Sequence, residues 1–135
     1  MKKVLCIFIL LIPILLMAQT KSETNSSPQI KQFWFVLLKA GPHRDQDSAT
    51  AAKIQSGHIA NIGRLYEAGT LKVAGPFGDQ GLAQGIFIFD VKTESEVKQL
   101  LESDPAVKSG RLIFDIHPWY TSPIGSFAPG KPLKN

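Results

Sequence analysis

The chain has 135 residues, with 15 basic against 11 acidic side chains, a net charge of +4, one cysteine and 44% hydrophobic residues. It is too short for two full domains, and too evenly charged to imply nucleic acid or an anionic membrane as a partner. With a single thiol it cannot be a disulfide-held scaffold, so packing must hold the fold together.

In chain order, Met1-Lys2-Lys3 is a short basic start and Val4 to Met17 is an apolar run interrupted only by Pro13. Leu16-Met17-Ala18 ends in the small residue that a signal peptidase requires, so residues 1–18 read as a secretory signal peptide. The run is shorter than the ~20 residues of a spanning helix, and polar residues follow at once. The expectation is export, to the periplasm or out of the cell, with no stable membrane association after cleavage. Cys6 leaves with the signal, as do Lys2 and Lys3, so 15 basic residues become 13 against an unchanged 11, a charge of +2. Residues 19–30 form a polar linker around Ser26-Ser27-Pro28, and residues 121–135 form a tail rich in Pro, Gly, Ser and Lys. Residues 31–120 remain as one compact domain with a modest core that oligomerisation would help.

Phe33 to Leu38 is a continuous run of β-formers ended by Gly41-Pro42, and reads as the first strand. Asp45 and Asp47-Ser48 then supply helix-start chemistry for a helix over roughly 48–68, which Gly69 stops. Leu71 to Ala74 is a short strand closing on Gly75-Pro76, and Ile86 to Phe89 is the third strand. Thr93-Glu94-Ser95-Glu96 is a capping box that opens a second helix near 94–104. Pro105 closes that helix or starts another short turn. Leu112 to Ile116 is the last strand and runs into His117-Pro118-Trp119-Tyr120.

The order β-α-β-β-α-β is the split arrangement of ferredoxin-like α+β folds, a four-stranded antiparallel sheet with both helices on one face. Residues 33–38 and 86–89 are apolar on both faces, so something must cover the face without helices. A second copy packed sheet against sheet is the simplest cover, which predicts a homodimer shaped like an α/β barrel.

At about 100° per residue, Ile54, His58, Ile62, Leu65 and Tyr66 fall along one stripe of the first helix, so an imidazole is aimed at the core. Val97, Leu100 and Leu101 line the inner face of the second helix, and continuing that arc one turn brings Asp104 to the same side. A weak base and a weak acid in low dielectric are what general acid–base chemistry needs, and a buried pair can equally be structural. Asp104 before Pro105 also reads as an ordinary N-cap, and the two roles are compatible: one carboxylate oxygen can cap while the other orients the imidazole.

Gly75-Pro76-Phe77-Gly78-Asp79-Gln80-Gly81 lacks the phosphate-loop pattern and reads as a long hairpin connection, with Gly75, Pro76 and Phe77 placed to flank a pocket beside His58. Trp119 and Tyr120 read as a plug at the barrel end, and Trp119 alternatively as a stacking platform for an aromatic ligand. His43, His58 and His117 lie on separate elements without zinc-type spacing, so neither a metal nor another cofactor is expected. No serine, cysteine or lysine has the context of an activated nucleophile.

Taken in order, His58, Gly69-x-Leu71, Ala74-Gly75-Pro76, Gly85-Ile86-Phe87-Ile88-Phe89, Asp104-Pro105 and Pro118-Trp119 resemble the pattern of the YCII-related (YciI-like) proteins over about residues 31–120. The resemblance implies a ferredoxin-like dimeric α/β fold and a histidine/aspartate site, carried here by His58 and Asp104. One class of relatives removes chloride from chlorinated hydroxyquinol-type aromatics. Two features differ from the family pattern: the nearest positive charge upstream of the histidine is Lys53, where the family often has an arginine, and this chain carries an export signal. The functional expectation is a cofactor-free His/Asp enzyme acting on a small organic molecule, as a lyase, isomerase or hydrolase. The alternative is a non-catalytic dimeric module that binds such a molecule.

Overall fold

The computed structural model describes residues 30–79 and 81–121. The expected signal peptide, nearly all of the linker and nearly all of the tail lie outside the described residues.

Strand β1 (Lys31–Ala40) alternates, with Trp34, Val36 and Leu38 buried and Phe33, Phe35 and Leu37 half-buried. Helix α1 (Ser48–Glu67) begins at Asp47, whose carboxylate accepts from the Thr50 backbone N–H at 2.9 Å and its hydroxyl at 2.7 Å. That satisfies a donor which the first helical turn leaves free. It ends in a Schellman motif: Thr70 N–H donates to Leu65 O, Gly69 N–H donates to Tyr66 O, and Gly69 takes φ +72°. Glycine pays no steric penalty in that left-handed conformation.

Strands β2 (Leu71–Pro76) and β3 (Ala83–Phe89) form a hairpin, and α2 (Glu94–Glu102) opens with the reciprocal Thr93–Glu96 capping box. A one-turn helix, α3 (Pro105–Lys108), leads into β4 (Leu112–Thr121). The four strands lie in the order β2-β3-β1-β4, every neighbouring pair antiparallel. This is the ferredoxin-like α+β arrangement, with the short α3 added before the last strand.

The core forms between one sheet face and the helices. Trp34, Val36 and Leu38 from β1 and Phe87 and Phe89 from β3 meet Leu65 of α1 and Val97 and Leu101 of α2, with Leu71 at the start of β2. Trp34 keeps its indole N–H satisfied by donating to Val91 O at 3.2 Å. The opposite sheet face carries Phe33, Phe35, Leu37, Ile86 and Ile88, all half-buried, and no described element covers it.

Three features differ from the sequence reading. The strands outrun their apolar stretches, because the ladder needs backbone pairing rather than apolar side chains: β4 pairs with β1 from Leu112 opposite Ala40 to Thr121 opposite Lys31. Tyr66 is exposed; it lies about 80° round the helix from His58, at the edge of the inward stripe, and polar Asn61 is buried nearer its centre. Helix α2 ends at Glu102, so Asp104 comes inward as the first residue of a new turn and not along the arc of α2.

Candidate functional site

The site lies where α1 crosses α3. Gly57 makes the crossing close, since a Cβ there would lie 2.9 Å from Cγ of Pro105. With a side chain at 57 the helices would have to part, and the residue beside it, His58, would move away from the residue beside Pro105, Asp104.

Asp104 has an extended backbone and caps α3 through Oδ1, which accepts the Ala106 N–H at 2.8 Å. The same carboxylate faces α1. His58 Nδ1 lies 3.0 Å from Oδ1 and 2.9 Å from Oδ2, and Asn61 Nδ2 donates to Oδ2 at 2.9 Å. Arg64 completes the chain by donating from Nη2 to Asn61 Oδ1 at 2.6 Å. Asp104 is 1% exposed, while His58 and Asn61 are buried with it. Phe87 of β3 floors the site, its ring 5.9 Å from the imidazole and within 21° of parallel.

Burial alone pushes the Asp104 carboxyl up, but the hydrogen bonds from His58 and Asn61, the charge of His58 and the Ala106 N–H together outweigh it. The net effect holds the group below its ordinary value of 3.8. At neutral pH it is therefore an anion that can only accept, so His58 must present a proton on Nδ1. That fixes the tautomer: Nε2 carries the lone pair of the neutral ring, or the second proton of the imidazolium. Among the described residues Nε2 has no hydrogen-bond partner, and no buried side-chain nitrogen or oxygen is left unsatisfied, so Nε2 is not sealed from solvent. The arrangement holds a basic nitrogen with a fixed orientation and an ionised support, which suits proton transfer.

The remaining candidates fall elsewhere. Trp119 is on the sheet face away from the helices, its ring 6.2 Å from that of Phe33 opposite it on β1, and so across the sheet from the imidazole. Gly75 and Pro76 end β2 against Ile86 and Gly85, and Phe77 follows them, half-exposed and bonded through its N–H to Gln84 O. None of these three hydrogen-bonds to the His58–Asp104 pair. His43 packs over Gly110, and His117 is exposed on the open sheet face opposite Phe35. Among the described residues no three His, Cys, Asp or Glu side chains converge as metal ligands. Asn61 and Arg64 were not singled out from the sequence. Their signal is the spacing His58, Asn61, Arg64, a polar side chain every third residue down one side of an otherwise amphipathic helix.

The model of the YCII-related domain matches residues 33–120, from within β1 to within β4. The chain belongs to the YCII-related domain family. No curated protein matches it in sequence. Among solved structures, this YCII-related domain is similar to muconolactone isomerase, with a TM-score of 0.56 at 16% identity over 73% of this chain and 99% of that one. It is also similar to the 5-chloro-2-hydroxyhydroquinone dehydrochlorinase of Burkholderia phenoliruptrix AC1100 in complex with 2,5-dihydroxybenzoquinone, with a TM-score of 0.49 at 20% identity over 64% and 92%. At such identities the likeness to muconolactone isomerase is one of fold, the ferredoxin-like type that forms dimeric α/β barrels.

Proposed function

We propose that this YCII-related protein is an exported, cofactor-free enzyme in which His58 and Asp104 act as a general acid–base pair on a small organic substrate. The observation that carries the reading is the ionised, fully hydrogen-bonded Asp104, which commits Nδ1 and leaves Nε2 as the one atom of the ring free to exchange a proton. In its neutral form His58 takes a proton from a carbon or oxygen acid through Nε2. The imidazolium so formed returns the proton to another atom of the substrate, which completes an isomerisation, or to a leaving group, which completes an elimination. Asp104 stays ionised throughout and supports the charged ring.

The half-exposed apolar face supports a homodimer, with the two sheets packed face to face. Phe33, Phe35, Leu37, Ile86 and Ile88 would then be buried against the same residues of the partner subunit, as a twofold interface requires. Export rests on the basic and apolar N-terminal segment of the sequence.

The test is a panel of small organic compounds, beginning with muconolactone and with hydroxylated and chlorinated aromatics, assayed on the intact protein and on His58→Gln. Glutamine keeps a hydrogen-bonding side chain but cannot transfer the proton, so turnover should fall by about 10²- to 10⁴-fold while ligand binding survives. Binding without turnover in both proteins would replace this reading with that of a non-catalytic small-molecule module.

A further inference from the structure

Asn61 is an amide placed between a group that can only donate and a group that can only accept. The Arg64 guanidinium has no acceptor, and ionised Asp104 has no donor, so one orientation of the amide satisfies both: Oδ1 toward Arg64 at 2.6 Å and Nδ2 toward Asp104 at 2.9 Å. Asn61 is buried on α1 one turn from His58, and Arg64 is one turn further on the same side. Three donors reach the Asp104 carboxylate from three directions, the imidazole, the Asn61 amide and the Ala106 backbone, and together they leave it little freedom to rotate.

We propose that Asn61 is a positioning residue for the His58–Asp104 pair, setting both the plane of the carboxylate and how tightly it holds the imidazole proton, and that Arg64 fixes the direction of the Asn61 amide. The catalytic consequence rests on the acid–base reading above; the coupling itself does not. Around the imidazole, α3 contributes Asp104 at its N-cap, β3 contributes Phe87, and α1 contributes Asn61 with Arg64 behind it. Among the described residues Asp104 is the one charged group hydrogen-bonded to the ring, so anything that alters the negative charge on its oxygens is felt at His58.

The sign follows from the hydrogen bonds. The Asn61 N–H withdraws some of the negative charge that would otherwise be presented to the imidazolium. Replacing Asn61 by Leu, of similar volume and without a donor, leaves that charge less satisfied, so the carboxylate holds the His58 proton more firmly and the imidazole titrates at higher pH. Arg64→Met removes the charged donor from the Asn61 oxygen, so the amide is less polarised, its N–H gives less to the carboxylate, and the effect should run in the same direction, less strongly because Arg64 is exposed. Arg64→Lys restores a donor and a charge and should return the titration toward that of the parent.

The experiment is an NMR titration of the His58 imidazole in the intact protein, assigned with His58→Gln and read alongside thermal unfolding. Asn61→Leu should raise the His58 midpoint by roughly half a pH unit or more, with Arg64→Met following by less. Lys53→Met, which removes an exposed positive charge from the same helix outside the network, should leave it unmoved. A midpoint within about 0.1 unit of the parent in Asn61→Leu, with only the melting temperature lowered, would make Asn61 a packing residue and overturn the proposal. Should Asn61→Leu not fold, Arg64→Met against Lys53→Met decides the same question at the surface. No substrate enters this titration, so a shift without any turnover in the compound panel removes the enzymatic reading alone, and turnover without a shift removes this proposal alone.

Discussion

On the helix side of the sheet Val36 and Phe89 are wholly shielded, whereas on the other side Phe35, Leu37, Ile86 and Ile88, their neighbours along the same strands, remain half-exposed. Over residues 33–38 and 86–89 the sequence is apolar on both faces. Polar groups also fare differently on the two sides. Beneath the helices, His58, Asn61 and Asp104 are buried and satisfy one another, while on the open face Lys39 and Asp115 pair at 2.7 Å with both side chains in partial contact with water. The first side has spent its surface in folding the monomer and has built a polar cluster into the seam. The second has its apolar surface still to bury, which is the condition for association.

The largest expected effect comes from emptying the seam. Asp104→Ala removes the cap of α3 and leaves the His58 and Asn61 donors buried without an acceptor, and breaking a buried pair of this kind costs about 3–5 kcal/mol. Chemical denaturation of the variant measures it; a loss under about 1 kcal/mol would mean that water fills the seam and that its polar cluster is not sealed. Acid should act on the same residue. The folded carboxyl titrates below its ordinary 3.8, so its contribution is complete above that pH and is lost as pH falls through the lower folded value. Stability of the parent should therefore drop more steeply below about pH 4 than that of Asp104→Asn, which starts lower and has no such proton to gain. Parallel acid limbs would place the loss on other carboxylates.

Breaking the other side should change association before it changes folding. Phe35 is central on the open face, between Ile88 of β3 and His117 of β4. Phe35→Lys should convert a protein of twice the chain mass in light scattering into a monomer that keeps the circular dichroism of the parent. A variant that stays dimeric would move the interface off this face, and a parent already monomeric would leave the face exposed in solution.

Much of the fold was legible because the signals were local and redundant: an Asp47 cap, a capping box at Thr93, a glycine at the left-handed position 69, and apolar strands between them. The pairing of His58 with Asp104 was legible as an inward imidazole and a nearby carboxylate, although the route differs, since Asp104 turns inward as the cap of α3. Asn61 and Gly57 were not legible. An Asn on an inward stripe reads as an interruption until its two partners are placed in space, and the need for a glycine at 57 exists only because Pro105 packs against it. Trp119 shows the converse: its neighbourhood in sequence gives no hint of which sheet face it takes, and strand register assigns it to the one opposite His58.

The smallest expected effect tests how far the covered region of the open face extends. Lys39 and Asp115 are diagonal neighbours across β1 and β4, since Lys39 stands opposite Ile113 and Asp115 opposite Leu37. In water such a pair contributes about 0–1 kcal/mol, because the Coulomb attraction is screened and ordering two side chains offsets it. Lys39→Met should lower stability within that range, and the difference should vanish toward 1 M salt, where the screening length is only about 3 Å. A loss several times larger, insensitive to salt in the parent but restored to the small, screened value in the Phe35→Lys background, would show the pair to be taken out of water by the partner's sheet. The interface would then reach from the aromatic end at Phe33 and Trp119 to the start of β4, and the open face would resemble the helix side after all, closed by a second copy instead of by helices.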